Sequence, residues 1–196
     1  METVFIREFK SSNLSQIAKS IFDMISSSLD GAKTSSNLHG VVVEECLRDE
    51  KLLDILEKKL KPHLEVHIDD YFSFTPLLHK ENFKFSHYSL MHHKEGYNIP
   101  FHYDSEYVYE KEGVEEVRNF AILLYLNDLE EWGALVFPLQ KKTIKPEQGK
   151  LLIFPTSFMY PHTTIPTMSS DRFVLRVSYY FEKDQIKKSV EESRDY

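Results

Sequence analysis

What is scarce in this chain of 196 residues narrows its function before any motif is read. One cysteine, Cys46, is present, so an internal disulfide framework is excluded and a reducing compartment is expected. No apolar run approaches the roughly 18 residues that a membrane-spanning helix needs. The stretch METVFIREFKSSN alternates charged and apolar residues and lacks the apolar centre of a signal peptide. A cytoplasmic protein with no membrane partner is therefore expected. Positive charge is in deficit, with 24 Lys and Arg against 31 Asp and Glu and a net charge of −7. The basic residues are scattered apart from short patches such as KKLK and QKK. A phosphate backbone is repelled by such a balance, so nucleic acid is disfavoured as a partner. A mean hydropathy of −0.40 gives no sign of an obligate apolar interface, and it leaves the oligomeric state open.

The chain has 41% hydrophobic residues, enough for one sizeable core. Its pattern changes near residue 80. In SNLSQIAKSIFDMISSSLDG, residues Leu14, Ile17, Ala18, Ile21, Phe22, Met24, Ile25 and Leu29 form one helical stripe. Ser12 or Asn13 is the expected N-cap and Gly31 the expected stop. A second helix is expected over DEKLLDILEKKL, with Leu52, Leu53, Leu56 and Leu60 inward and Pro62 ending it. HLEVHIDDYFSF is ambiguous between helix and strand. Short β-type runs then follow: FKFSHYSLMH, IPFHYD, NFAILLYLN, GALVFP, KLLIFP, MYPHTTI and RFVLRVSYYFE. Turn formers and charges separate them, which points to an all-β sandwich or barrel. The connection SEYVYEKEGVEEVR is long and polar, in the manner of a lid or of a mobile surface loop.

The chemistry concentrates in FHYDSE. On a strand, residues two apart share a face, so His102 and Asp104 would present an imidazole and a carboxylate together. An isolated His-x-Asp is also a common surface decoration. His162, in MYPHTTI, adds a second imidazole. Two histidines and a carboxylate form a facial triad that leaves three octahedral positions open, the arrangement suited to non-haem Fe(II) and O2. Ten residues on, Arg172 opens RFVLRVSYYFE, where alternation puts Arg172, Val174, Arg176, Ser178 and Tyr180 on one face. Arginines on a buried face need an anionic partner. A dicarboxylate co-substrate would supply one through two parallel hydrogen bonds.

With these parts in order, the chain resembles the 2-oxoglutarate- and Fe(II)-dependent dioxygenases, particularly the prolyl 4-hydroxylase-like branch. The resemblance covers roughly residues 85 to 182. GYNIPFHYDS, AILLYLND, EWGALVFP, GKLLIFP and HTTIPTMSSDRFVLRVSYYF are similar to successive motifs of that family. It implies a mainly β fold with N-terminal helices, whose core is a double-stranded β-helix, a cupin-like jelly roll. Residues 1–80 would be a helical support, 81–183 the core and 184–196 a C-terminal tail. The implied ligands of Fe(II) are His102, Asp104 and His162. Arg172 and Tyr125 would hold 2-oxoglutarate, with O2 as the other co-substrate. The implied reaction hydroxylates an unactivated C–H of an amino acid, a peptidyl residue or a small metabolite, with release of succinate and CO2. Related halogenases replace the acid of the His-x-Asp pair, so Asp104 favours hydroxylation.

Some positions depart from the family pattern. Trp132 stands where a first glycine is common. The place of a tyrosine that contacts the co-substrate falls on His92 or His93, with Tyr88 further back. Tyr88, His92, Arg176, Glu106 and Tyr107 are therefore candidates for substrate or co-substrate contact. For Arg176 the plain alternative is an arginine paired with an acid, and for the loop it is a solvated acidic surface. Two other classes remain: a cupin-like metalloprotein that does not use 2-oxoglutarate, and a catalytically silent binding module.

Overall fold

A computed structural model describes residues 5–28, 35–37, 40–42, 50–73, 80, 83–86, 88–106, 108–111, 114–130, 132–168 and 170–181. Leu29, Gly31, Cys46, Tyr107 and the segment 184–196 lie outside the described residues. After a short strand β1 (Arg7–Phe9) comes helix α1 (Ser12–Ser28), capped one residue earlier than the sequence suggests. Ser11 accepts the Leu14 amide at 3.2 Å on its Oγ and satisfies one of the donors a helix start leaves open. The stripe Leu14, Ile17, Ala18, Ile21 and Ile25 is buried, and Phe22 and Met24 are packed beside it.

Pro62 does not end the second helix, contrary to expectation. Helix α2 (Glu50–Asp54) runs through a π-helical turn, Ile55–Leu60, into α3 (Lys61–Ser73). Proline removes one donor and crowds the carbonyl four residues back. The wider turn relieves this, because the Lys61 amide reaches back five residues to the Leu56 carbonyl. The π turn also explains the stripe Leu52, Leu56, Leu60, Leu64 and Ile68, all buried. Steps of four drift by about 40° each on an ideal α-helix, and a wider turn takes back part of that drift. Leu53, expected inward, is 40% exposed. The ambiguous HLEVHIDDYFSF is helical through Ser73.

The remaining strands are β2 (Ser35–Asn37), β3 (Gly40–Val42), β4 (Phe83–Phe85), β5 (Ser89–His93), β6 (Val108–Lys111), β7 (Val114–Tyr125), β8 (Leu135–Phe137), β9 (Lys142–Ile144), β10 (Leu151–Pro155), β11 (Thr163–Thr164) and β12 (Arg172–Phe181). Among the described residues they form a nine-stranded sheet ordered β1-β10-β7-β12-β5-β3-β2, with β4 paired to β12 and β6 to β7. A three-stranded sheet, β11-β8-β9, stands apart from it. The long polar connection after His102 is thus partly a hairpin, β6 paired antiparallel with β7.

Alternation assigns the two faces of the large sheet. Phe120, Ile122 and Leu124 of β7 and Phe173, Leu175 and Val177 of β12 pack in one cluster with the helices. Ala121 and Tyr125 of β7, Val174 of β12 and Phe154 of β10 pack in a second cluster with Leu135 and Phe137 of the small sheet. The space between the sheets is therefore a separate interior, and the double-stranded β-helix expected from the sequence is observed. No helix among the described residues is long and apolar enough to cross a membrane.

Gly149 joins the helical layer to the sheet. Its φ is +78°, and a Cβ there would lie 2.4 Å from the Ser15 Cα of α1. Gly96 has φ +80° with nothing within 4 Å. Gly96→Ala should lose only the backbone preference, about 1 kcal/mol. Gly149→Ala should lose more, by about a further 1–3 kcal/mol of overpacking. Urea unfolding of the two variants ranks them, and equal losses would contradict this packing.

Candidate metal centre

The first two candidate ligands are not placed by a strand. His102 forms an isolated antiparallel bridge with His162, and Asp104 opens a short 3-10 turn, Asp104–Glu106. The bridge is reciprocal: the His102 amide donates to the His162 carbonyl at 3.0 Å, and the His162 amide to the His102 carbonyl at 2.8 Å. The turn is tied in by the Ser105 amide, which donates to the Thr156 carbonyl at the end of β10. His102, Asp104 and His162 consequently offer ligand atoms that all lie within 4.8 Å of one another.

Both imidazoles are oriented through the nitrogen that faces the backbone. His102 Nδ1 lies 2.7 Å from the Pro100 carbonyl, and His162 Nδ1 lies 3.0 Å from the Tyr160 carbonyl. A carbonyl only accepts, so each Nδ1 carries the proton and each Nε2 presents a lone pair. This is the outer-shell arrangement of metal-binding histidines. His102 Nε2 stands 3.6 Å from Asp104 Oδ1. His162 packs against the rings of Phe137 and Phe154, at 5.4 and 5.1 Å.

Asp104 is 7% exposed. Burial pushes its carboxyl up, but His102, Arg118, His162 and Arg176 pull it down further, so the carboxylate form is favoured. Burial lowers His162 on balance. For His102 burial also works downward, but the Asp104 carboxylate and the Pro100 carbonyl outweigh it and raise the imidazole.

Arg118 is a site residue that sequence alternation misses. Its Nη1 lies 2.9 Å from Asp104 Oδ1. Strict alternation along β7 would put Arg118 with Phe120 against the helices. A bulge intervenes: Tyr179 pairs with Phe120, but Tyr180 pairs with Arg118, and Asn119 is skipped. The extra residue turns Arg118 into the interior. No pattern of single residues signals this.

Arg172 pairs in register with His93 and is 2% exposed. Its Nη1 donates to the Gly133 carbonyl at 2.8 Å and its Nε to His93 Nδ1 at 3.4 Å. Its Nη2 is buried with no hydrogen-bond partner among the described residues. Burial is the main effect on the guanidinium, lowering its pKa, and Tyr125 and Tyr97 are its closest electrostatic neighbours. Tyr125, 2% exposed, has its phenol held up by burial while Arg172 opposes that shift. A side chain with one buried open donor beside two phenols is a fitting receptor for a carboxylate. The start of β12 is clamped by Asn127, whose Nδ2 donates to the Asp171 carbonyl and whose Oδ1 accepts the Phe173 amide, both at 2.9 Å.

The other candidates divide by strand parity. His92 faces the helical side. Its Nε2 lies 2.6 Å from Asp171 Oδ2, and its ring stacks on Phe173 at 4.4 Å. Tyr88 also packs with the helical core, its hydroxyl donating to the Leu56 carbonyl at 3.4 Å. Neither is brought to the interior, because β5 alternates and its residues on the face of Arg172 are Ser89, Met91 and His93. His93, stacked with Tyr97 at 5.6 Å, occupies the place beside Arg172. Arg176 lies on the interior face, two positions beyond Val174. Glu106 closes the 3-10 turn.

Trp132 adopts φ 66°, the left-handed conformation that its expected glycine would favour, and Gly133 follows at φ 71°. The turn thus takes a left-handed residue without a glycine at its first position. A Cβ on Gly133 would lie 2.4 Å from Leu129 Cδ1 and 3.0 Å from Thr167 Cγ2.

The model of the 2OG-Fe(II) oxygenase superfamily matches residues 83–180. Solved structures of similar fold include a viral collagen prolyl hydroxylase from Paramecium Bursaria Chlorella virus-1, in a 2OG complex. It has TM-score 0.58 and 16% identity, over 91% of this chain and 97% of that one. A Pseudomonas putida prolyl-4-hydroxylase has TM-score 0.60 and 15% identity, over 92% and 94%. A Trichoplax adhaerens prolyl hydroxylase, in complex with a hypoxia inducible factor peptide fragment, has TM-score 0.51 and 15% identity, over 94% and 87%. No curated protein matches the sequence. The chain belongs to the 2OG-Fe(II) oxygenase superfamily, whose chemistry takes Fe(II), 2-oxoglutarate and O2.

The turn that holds Arg172 can be tested by stability alone. Trp132→Gly should leave the melting temperature unchanged or raise it, because left-handed strain of about 1–2 kcal/mol is offset by the flexibility of glycine. Gly133→Ala should lower stability by about 1–3 kcal/mol. The reverse order would contradict the backbone described.

Proposed function

We propose that the chain is an Fe(II)- and 2-oxoglutarate-dependent hydroxylase. It acts on an unactivated C–H of an amino acid, a peptidyl residue or a small metabolite and releases succinate and CO2. The observation that carries this reading is the pairing of a His-Asp-His cluster with a buried arginine whose Nη2 lacks a partner. A cupin-like protein without 2-oxoglutarate leaves that donor unexplained, and so does a silent module.

The residues present fit the implied metal. Two imidazoles with protonated Nδ1 and an ionised carboxylate are a neutral-plus-anionic donor set suited to a divalent iron. Bound Fe(II) supplies the activation of O2 that couples decarboxylation of 2-oxoglutarate to oxidation of the substrate. His102, Asp104 and His162 hold the metal. Arg172 Nη2 and the Tyr125 hydroxyl take the distal carboxylate of the co-substrate, while the Gly133 carbonyl and His93 fix the guanidinium plane. Phe137 and Phe154 keep water from the inner side of His162. In this reading residues 81–183 carry the chemistry, 1–80 brace the large sheet with their helices and add β1, β2 and β3 to it, and 184–196 form a tail. Peptidyl substrates are in keeping with the similar fold solved in complex with a peptide fragment.

The test is an anaerobic titration with Fe(II) and then 2-oxoglutarate, followed by the visible charge-transfer band of a chelated keto acid. The band should form in the unaltered protein and vanish in His102→Ala. In Arg172→Ala it should require about tenfold or more 2-oxoglutarate, as expected for a lost charged hydrogen bond of about 1.5–3 kcal/mol. Asp104→Ala should lose hydroxylation. A folded, metal-loaded protein without the band would overturn the reading.

A further inference from the structure

The interior face carries more positive charge than the proposed chemistry uses. Arg118, Arg172 and Arg176 all turn to it, and among the described residues Asp104 is the carboxylate that pairs with Arg118 and that Arg176 feels. In the proposed reading the iron and the 2-oxoglutarate dianion cancel in formal charge. Among the described residues, three guanidiniums against one carboxylate then leave a surplus of two positive charges. Arg172 meets the co-substrate, so the surplus resides on Arg118 and Arg176.

Arg118 is ion-paired with Asp104, and Arg176 has no direct partner among the described residues. Arg118 Nη1 is near Asp104 but buried without an aligned hydrogen bond. Arg176 has no side-chain hydrogen bond or ion pair of its own among the described residues. It feels Asp104 only at longer range, and it feels Arg118 as a like charge. Burial and that repulsion pull its pKa down to about 10. No acid among the described residues pairs directly with Arg176, which speaks against the plain alternative of an arginine neutralised by an acid. Among the described residues Asp104 is the carboxylate that Arg176 feels, and it already serves Arg118 and the proposed metal. The bulge at Asn119 is what brings the two arginines to the same face.

We propose that Arg176 and Arg118 form an anion-binding subsite beside the metal centre, which holds a carboxylate of the prime substrate close to the C–H that is oxidised. This rests on the reading of the site as an Fe(II)/2-oxoglutarate centre. Two guanidiniums present planar donor forks, so the geometry favours a carboxylate over a neutral amide. The carboxylate belongs to a free amino acid or to an acidic side chain, and these share one chemistry.

The test uses the full chain loaded with Mn(II) and saturated with N-oxalylglycine, an unreactive stand-in for 2-oxoglutarate. Failure to bind these two would count against the functional reading itself. With both bound, thermal shifts are measured for three probe sets. One is the free L-amino acids and another the α-carboxamides of the neutral ones. The third is N-acetyl-aspartate and N-acetyl-glutamate α-amides, which carry only a side-chain carboxylate. The expected result is a stabilising shift from free amino acids or from the side-chain acids, and none from the neutral carboxamides. Arg176→Met should abolish the shift, and Arg176→Lys should weaken the apparent affinity at least tenfold, with Mn(II) and N-oxalylglycine still bound. The proposal is overturned if carboxamides bind as well as acids, if no carboxylate probe shifts the protein, or if Arg176→Met binds like the unaltered chain. The comparison of acids with amides needs no variant.

Discussion

Two backbone hydrogen bonds between His102 and His162 set the geometry on which the rest of the site depends. The residues are sixty positions apart in the chain, and neither belongs to a long strand at that point. The reciprocal pair fixes both Cα positions. The Pro100 and Tyr160 carbonyls, each two residues before its histidine, then fix the rings. Position and tautomer are thus both supplied by main-chain groups, which no side-chain substitution nearby can remove. The carboxylate is held differently, by a 3-10 turn tied to the end of β10 through Ser105 and Thr156.

A second constraint is the interruption of alternation. A regular ladder between β7 and β12 would keep every second residue against the helices, and Arg118 among them. The skipped Asn119 reverses the phase for the last turn of the ladder and brings a guanidinium to Asp104. At the other end of the same ladder Asn127 clamps the first residues of β12, and this places Arg172 against His93 and the Gly133 carbonyl. The two arginines thus depend on irregular features at opposite ends of one regular strand pair.

These irregularities mark where the sequence could and could not be read. The helical stripe of α1 and the alternation of β12 are periodic, and the faces they imply match the two clusters observed. The His-x-Asp pair, His162 and Arg172 were visible as residue types in order, and the structure brings the first three together. Local chain geometry was not visible. FHYDSE reads as a strand but turns at Asp104, and Pro62 reads as a stop but sits after a π turn. His92 and His93 are equivalent in sequence, and only the register with β12 shows that His93 faces Arg172. Trp132 reads as a break in a glycine motif but takes the left-handed backbone itself.

The most direct measurement of the central claim is a crystal structure of the protein grown without oxygen in Mn(II) and N-oxalylglycine. The account predicts one metal ion bound by His102 Nε2, an Asp104 carboxylate oxygen and His162 Nε2, with the distal carboxylate of the analogue on Arg172 Nη2. A metal held by other residues, or an analogue that leaves Arg172 Nη2 without a partner, would contradict it.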